Sequence, residues 1–302
     1  MVRFTVPAGA SVRQVGDTLA ARGLITSPLG FRLVSRLTGG DRKIRAGIYD
    51  VAMGTGPKDI LAILRTGRVA VQKITVPEGL TLAEMATVMA ARYGLDAAAF
   101  LAAARDPALL RQAAVDRPTL EGFLLPETYT LPLPATPEAL VGAMLGGMER
   151  AWTPVWRARA DSIGLTRLQV LTLASIVEGE ARHDDERNVI AGVYTNRLKR
   201  GMALQADPTV QYAIQLATGN RKTRLYFKDY AFQSPYNTYL RTGLPPGPVN
   251  NPGWKSIAAA LYPAEVPFLY FVALPDGHHR FSKTLAEHNR AIREIRARPA
   301  AR

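Results

Sequence analysis

The chain contains no cysteine. Disulfides, thiol nucleophiles and cysteine-ligated zinc or iron–sulfur clusters are therefore excluded, while the compartment stays open. Histidine is nearly as scarce. The four present, His183, His278, His279 and His288, show no H-E-x-x-H or comparable ligand spacing, so neither a metal nor another cofactor is expected. No apolar run approaches the ~20 residues that a membrane helix needs. Met1-Val2-Arg3 leads straight into strand-like Phe4-Thr5-Val6 without the apolar stretch of a signal peptide. Nucleophile elbows and dinucleotide fingerprints are missing. Gly247 to Ser256 has the wrong spacing for a phosphate loop, and Pro248 and Pro252 remove amide donors such a loop depends on.

Acidic side chains are in deficit, with 25 Asp and Glu against 38 Lys and Arg and a net charge of +13. That balance fits an anionic partner or surface. Nucleic acid is not expected, because the basic residues are scattered and form no RNP or helix-turn-helix pattern. The 302 residues, 47% hydrophobic and 21% charged, suit one large globular domain or two modest ones and exclude disorder and collagen-like repetition.

An internal repeat organises the first third. Residues 4–25 (FTVPAGASVRQVGDTLAARGLI) align without a gap on residues 74–95 (ITVPEGLTLAEMATVMAARYGL). In each copy a β-rich segment meets a Pro-x-Gly turn, and Ser11 or Thr81 then stands three residues before Gln14 or Glu84 as a capping box. Each copy reads as strand, turn, amphipathic helix. Between them, Pro28–Leu37 is helix-like, Arg45–Val51 strand-like, and Gly56-Pro57-Lys58-Asp59 opens another helix through Leu64. The order β-α-α-β-α defines a small α+β unit over about 1–72, suited to packing or positioning, or to binding carbohydrate.

Residues 97–160 read as Ala-, Leu- and Arg-rich helix, broken at Asp116-Arg117-Pro118 and by Pro126, Pro132, Pro134 and Pro137. Residues 165–177 form an apolar helix with almost no polar face after Gln169, which implies burial on all sides. Residues 200–255 are rich in turns and aromatic rings, as functional loops are. A strand at Phe268–Leu274, a turn at Asp276-Gly277-His278-His279, a charged terminal helix and a solvated basic tail over 296–302 complete the chain.

The apolar helix runs into Glu178 and Glu180. A carboxyl there is poorly solvated, so its pKa should rise toward the 6–7 that suits a general acid near neutrality. Two positions on a helix diverge by about 200°, so the pair cannot both face one cleft, and one of them is structural. The competing role for either is an ion pair with Arg182 or Arg187. Glu121 and Glu127 flank an apolar turn that suits an N-cap as well as a cleft. Gln205-Ala-Asp207-Pro208-Thr209 is a polar knot on a loop, with Asp207 held extended by the following proline. Tyr236-Asn237-Thr238-Tyr239 alternates rings with amide and hydroxyl groups, the mixture that a glycan groove requires.

Together, Leu120-Glu-Gly-Phe-Leu-Leu-Pro-Glu-Thr-Tyr129, Ala174-Ser-Ile-Val-Glu-Gly-Glu180, Asn196-Arg-Leu198, Leu204-Gln-Ala-Asp-Pro-Thr-Val210, Tyr236-Asn-Thr-Tyr239, Gly243-Leu-Pro-Pro-Gly247 and Leu269-Tyr-Phe-Val272 resemble the endolytic murein transglycosylase family, the YceG-like proteins of the bacterial envelope. The resemblance covers most of 74–290. It implies an α+β protein with a LysM-like N-terminal module over 1–72. A mixed α+β catalytic domain follows over 73–302, in which a buried helix carries the catalytic acid/base, Glu180. Asp207, Thr209, Tyr236, Asn237 and Tyr239, with Gln205 and Glu121, are assigned to the substrate groove. Gly179 departs from the lysine that the family often carries between the two glutamates.

The implied reaction is non-hydrolytic cleavage of the MurNAc–GlcNAc bond of peptidoglycan, with an anhydroMurNAc end, terminating nascent strands. The implied partners are glycan strands and the cell-wall synthesis machinery. Family members usually carry one N-terminal membrane helix, absent from this sequence, so the expected location is the periplasmic face of the bacterial inner membrane. A muramidase pairing Glu180 with Glu121 or Asp207, and a non-catalytic glycan-binding scaffold, are the alternatives.

Overall fold

The structure is a computed structural model that describes residues 1–39 and 44–297. It is an α+β protein whose strands form small two-stranded sheets. The chain divides into two compact units, Met1–Ile74 with Thr128–Leu140, and Thr75–Glu127 with Val141–Arg302.

The first unit follows the order β1 (Val2–Val6), α1 (Val12–Ala21), α2 (Pro28–Leu37), β2 (Gly47–Val51), α3 (Pro57–Thr66), β3 (Val71–Thr75). β1 and β2 are antiparallel with Phe4 opposite Tyr49, and the two rings stack at 5.9 Å. Alternation along β1 turns Phe4 and Val6 inward, onto Leu19, Phe31, Ile60 and Leu64. β2 starts two residues later than its sequence suggests, because the backbone of Arg45 is engaged elsewhere. Its N–H donates to the Leu64 carbonyl, and its own carbonyl accepts the Tyr49 hydroxyl at 2.7 Å.

β4 (Thr128–Pro132) pairs with β3 in a stretch read from sequence as broken helix. The strand signal is a short alternation in which Tyr129 and Leu131 are buried between exposed neighbours. Flanking prolines mask it. The segment 128–140, read from sequence as part of the second domain, thus clusters with the first unit.

Both repeat copies form their capping boxes. The Ser11 hydroxyl accepts the Gln14 N–H and the Gln14 side chain accepts that of Ser11; Thr81 and Glu84 reproduce the exchange. Gly9 and Gly79 turn the chain at φ 73° and 74°.

The second unit contains α4 (Leu82–Tyr93), α5 (Ala97–Ala103), α6 (Pro107–Gln112), most of α7 (Pro137–Ala151), α8 (Pro154–Ser162), α9 (Arg167–Glu180), α10 (Arg187–Lys199), α11 (Asp207–Thr218), α12 (Trp254–Leu261), the hairpin β5 (Tyr270–Ala273) and β6 (His279–Ser282), and α13 (Leu285–Ala297). α9 is its axis. A Thr166/Gln169 capping box starts it, Val170 to Val177 are all buried, and α8, α10, α11 and α12 pack against it. Its N-terminal half is thereby fixed and its last turn carries the two glutamates.

One helix, α11, lies in the region 200–255 read as turns, and α12 begins at its end. Asp207 is the first residue of α11 rather than an extended loop residue. Proline is tolerated in a first helical turn, where its missing N–H has no intrahelical partner, and this outweighs the usual restriction on the preceding residue. Of the basic tail, Arg296 and Ala297 finish α13, and the remainder lies outside the described residues.

Candidate active site

Glu178 and Glu180 leave the end of α9 for different surroundings. Glu178 is 6% exposed and receives Arg187 Nη1 on Oε1 at 3.0 Å and the Gly253 N–H on Oε2 at 3.0 Å. Arg187 is held in turn by Asp184 and the Ser256 hydroxyl. Both oxygens of Glu178 are thus committed to a buried charge network that joins the starts of α10 and α12 to α9. The ion pair considered for either glutamate belongs to Glu178.

Glu180 makes no salt bridge among the described residues. Its Oε1 accepts the Tyr194 hydroxyl at 3.1 Å, and the backbone N–H of Asp207, at the start of α11, also donates to it. Part of the side chain remains open to solvent while dense protein surrounds the rest. Burial, and next the charge of Asp207, push the carboxyl up to about 7; the two donated hydrogen bonds and the charge of Arg197 oppose them. Such a group is shared almost evenly between acid and base at neutral pH.

Helix packing brings Glu180 and Asp207 together. A Cβ on Gly179 would lie 2.6 and 2.7 Å from ring carbons of Pro208, closer than atoms can pack. Glycine therefore lets the last turn of α9 reach the first turn of α11.

Asp207 Oδ1 accepts the Tyr239 hydroxyl at 2.7 Å. The Tyr230 hydroxyl joins the same carboxylate, and its ring lies 4.5 Å from that of Tyr239. Burial, then the negative charge of Asp207, raises the Tyr239 hydroxyl, keeping it a donor. Gln205, exposed, takes the left-handed conformation at φ 51°, an uncommon backbone state for a non-glycine residue.

Thr209 and Asn237 are fully buried. The Thr209 hydroxyl lies 2.6 Å from the Ala206 carbonyl and 2.9 Å from the Thr238 hydroxyl. Asn237 donates to the carbonyls of Tyr230 and Phe232 and accepts the Tyr239 N–H. Both tie the loop together from inside, with their side chains closed to solvent.

Glu121 and Tyr236 occupy a separate place in the same unit. Glu121 accepts the Leu82 N–H at 3.1 Å and Asn251 Nδ2 at 2.8 Å, and burial raises its carboxyl to about 8. Tyr236 meets Tyr212 edge to face at 5.0 Å, and Tyr212 points its hydroxyl to Glu121. A cavity of about 900 Å³ between α10 and the 263–267 loop is lined by Asn196 and Leu198 of the Asn196-Arg-Leu198 element and by none of the residues assigned to the site from sequence.

Tyr194 and Asn251 escaped the reading of the sequence, and Arg197 entered it only within the Asn196-Arg-Leu198 element, without a role. Tyr194 holds Glu180 directly. Arg197, with its charge buried inside α10, donates to the carbonyls of Ala203, Leu204 and Leu269 and fixes the approach to Gln205. Asn251 accepts the N–H groups of Gly122 and Leu124 and donates to Leu80 and Glu121. Arg197 stands in the polar stretch 195–200, where no local contrast marks it, and Tyr194 and Asn251 carried no signal either.

Residues 4–294 match the YceG-like family. This chain belongs to that family. A Bacillus subtilis (strain 168) relative named endolytic murein transglycosylase is 33% identical over 306 residues, covering 96% of this chain and 83% of its own length. A Streptococcus pneumoniae serotype 2 relative of the same name is 31% identical over 97% of this chain, which spans 58% of that protein. The crystal structure of a YceG-like protein from Listeria monocytogenes superposes with a TM-score of 0.65 at 32% identity, covering 96% of this chain and 98% of that one.

Proposed function

We propose that this protein is an endolytic murein transglycosylase, with Glu180 as its acid and base. The observation that carries this is the unpaired Glu180 carboxyl, held near pH 7 beside the N-terminus of α11, while its neighbour Glu178 is consumed by Arg187.

Protonated Glu180 donates to the oxygen joining MurNAc C1 to the next GlcNAc. The C1–O4 bond breaks as positive character develops at C1. The C6 hydroxyl of the same MurNAc attacks C1, its proton passes to the Glu180 carboxylate, and a 1,6-anhydro ring closes. Glu180 ends as it began, and no water is consumed. One carboxyl suffices because no separate base must activate a nucleophilic water. Asp207 sustains the acid form of Glu180 and faces the developing charge at C1, with Tyr230 and Tyr239 fixing its position. Tyr194 orients Glu180, Gln205 offers its amide to sugar substituents, and Thr209 and Asn237 keep the Asp207–Tyr239 pair in register.

Product analysis of digested peptidoglycan is the test. AnhydroMurNAc ends are expected; reducing MurNAc ends would make the enzyme a muramidase, for which Asp207 beside Glu180 is the one suitable partner. Glu121 is unsuited to that part, being protonated at neutrality with both oxygens engaged. Glu180→Gln keeps size and shape and should lower turnover by about 10²–10⁴ while binding persists. Full biological activity in that variant would instead indicate a scaffold. A periplasmic location with a membrane anchor outside this sequence, a LysM-like role for residues 1–72 and the termination of nascent strands complete the proposal.

A further inference from the structure

A cavity of about 550 Å³ opens in the second unit between the start of α4, the 117–121 turn, α11 and the 246–248 loop. Its volume is that of a small-ligand site, roughly 300–1,000 Å³. Its chemistry is unlike that of a sugar platform. The walls are apolar, from Leu101, Leu216 and Pro248, and Tyr236 stands edge-on to Tyr212. Gln215 lines the cavity, and its Oε1 is buried without a hydrogen-bond partner among the described residues, its Nε2 already donating to Thr81 at 3.1 Å. A buried acceptor left unpaired is unfavourable, so a ligand N–H that reaches it is favoured. Glu121 adds a carboxyl that burial pushes up to about 8. Arg105 and Arg117, exposed at the rim, make no ion pair among the described residues.

We propose that this cavity binds the stem peptide carried by the glycan strand, a short acidic peptide with small apolar side chains. The assignment rests on the murein reading above. A backbone N–H of the peptide pairs with Gln215 Oε1, its methyl side chains lie against Leu101, Leu216 and Pro248, and its carboxylates meet Arg105 and Arg117. A bare phosphate would use the arginines alone and leave the apolar walls of Leu101, Leu216 and Pro248 unmatched.

Two measurements test this. In the first, purified glycan strands are supplied with their peptides intact or removed by an amidase, and the ratio of the two kcat/KM values is compared between the wild-type protein and Arg105→Ala/Arg117→Ala. A fall of about tenfold in that ratio is expected; an equal ratio in both proteins overturns the proposal. In the second, a synthetic stem peptide with free carboxylates is titrated calorimetrically into Glu180→Gln protein, with and without the two arginine substitutions. Binding that the arginine substitutions abolish supports the site, whereas no binding, or equally strong binding of a glycerol phosphate polymer, overturns it. Because the titration needs no turnover, it stands even if cleavage of murein is never observed, which would sink the transglycosylase reading instead.

Discussion

Glu180 illustrates how a single carboxyl acquires two uses from its neighbours. Burial and Asp207 favour the acid form, while Tyr194 and the Asp207 N–H favour the anion. Activity that depends on the acid form should fall as pH rises through about 7. Asp207→Asn removes a charge that raises Glu180, so the alkaline limb of the pH–rate profile should move to lower pH. Tyr194→Phe removes a donor to the anion and should move the same limb upward. Opposite displacements in the two profiles are the expected result, and a common direction would contradict the assignment. Glu121 offers a separate check by linkage. Its folded value of about 8 lies above the ordinary 4.5, so its contribution to stability is complete below pH ~4.5 and is lost as pH rises through 8. Urea unfolding of Glu121→Gln should therefore show a flatter loss of stability between pH 5 and 9 than the wild-type protein.

At the scale of elements, the meeting of α9 with α11 decides the chemistry, and Gly179 permits it. Gly179→Ala should force Pro208 away by tenths of an ångström or more, and misplacement of this order reduces turnover by about ten- to a hundredfold. Steady-state kinetics with a melting curve on the same sample would show kcat falling together with a lower melting temperature, as overpacking of a buried contact destabilises. Much of this scale was legible in the sequence, since its causes are local. Both capping boxes, the apolar run of α9, the first five elements and the turn before His279 depend on residues a few positions apart. The short strand β4 and the starts of α11 and α12 were hidden by prolines, which punctuate loops and helix starts alike. Partners in the site were hidden for another reason. Tyr194 lies 14 residues from Glu180 and Asn251 lies 130 from Glu121, distances over which no periodicity carries information. Family resemblance supplied the Asp207 and Tyr239 elements, and packing shows which members of those motifs are buried.

Across the whole molecule, chain order and compact units do not coincide. The first unit takes back residues 128–140 after the chain has already entered the second, and β4 gives β3 its only strand partner among the described residues. A fragment ending at residue 74 leaves β3 unpaired, so it should melt at lower temperature than the same fragment joined by a short linker to residues 128–140. Circular dichroism of the two fragments would measure the difference. The capping boxes carry a related consequence. In α1 the Ser11 and Gln14 exchange is exposed and serves that helix alone. In α4 the Glu84 carboxylate also receives Arg221 at 3.0 Å, and Thr81 also receives Gln215. The two copies therefore differ in what a change at the cap would disturb: in α1 a single helix, in α4 a joint between distant parts of the chain.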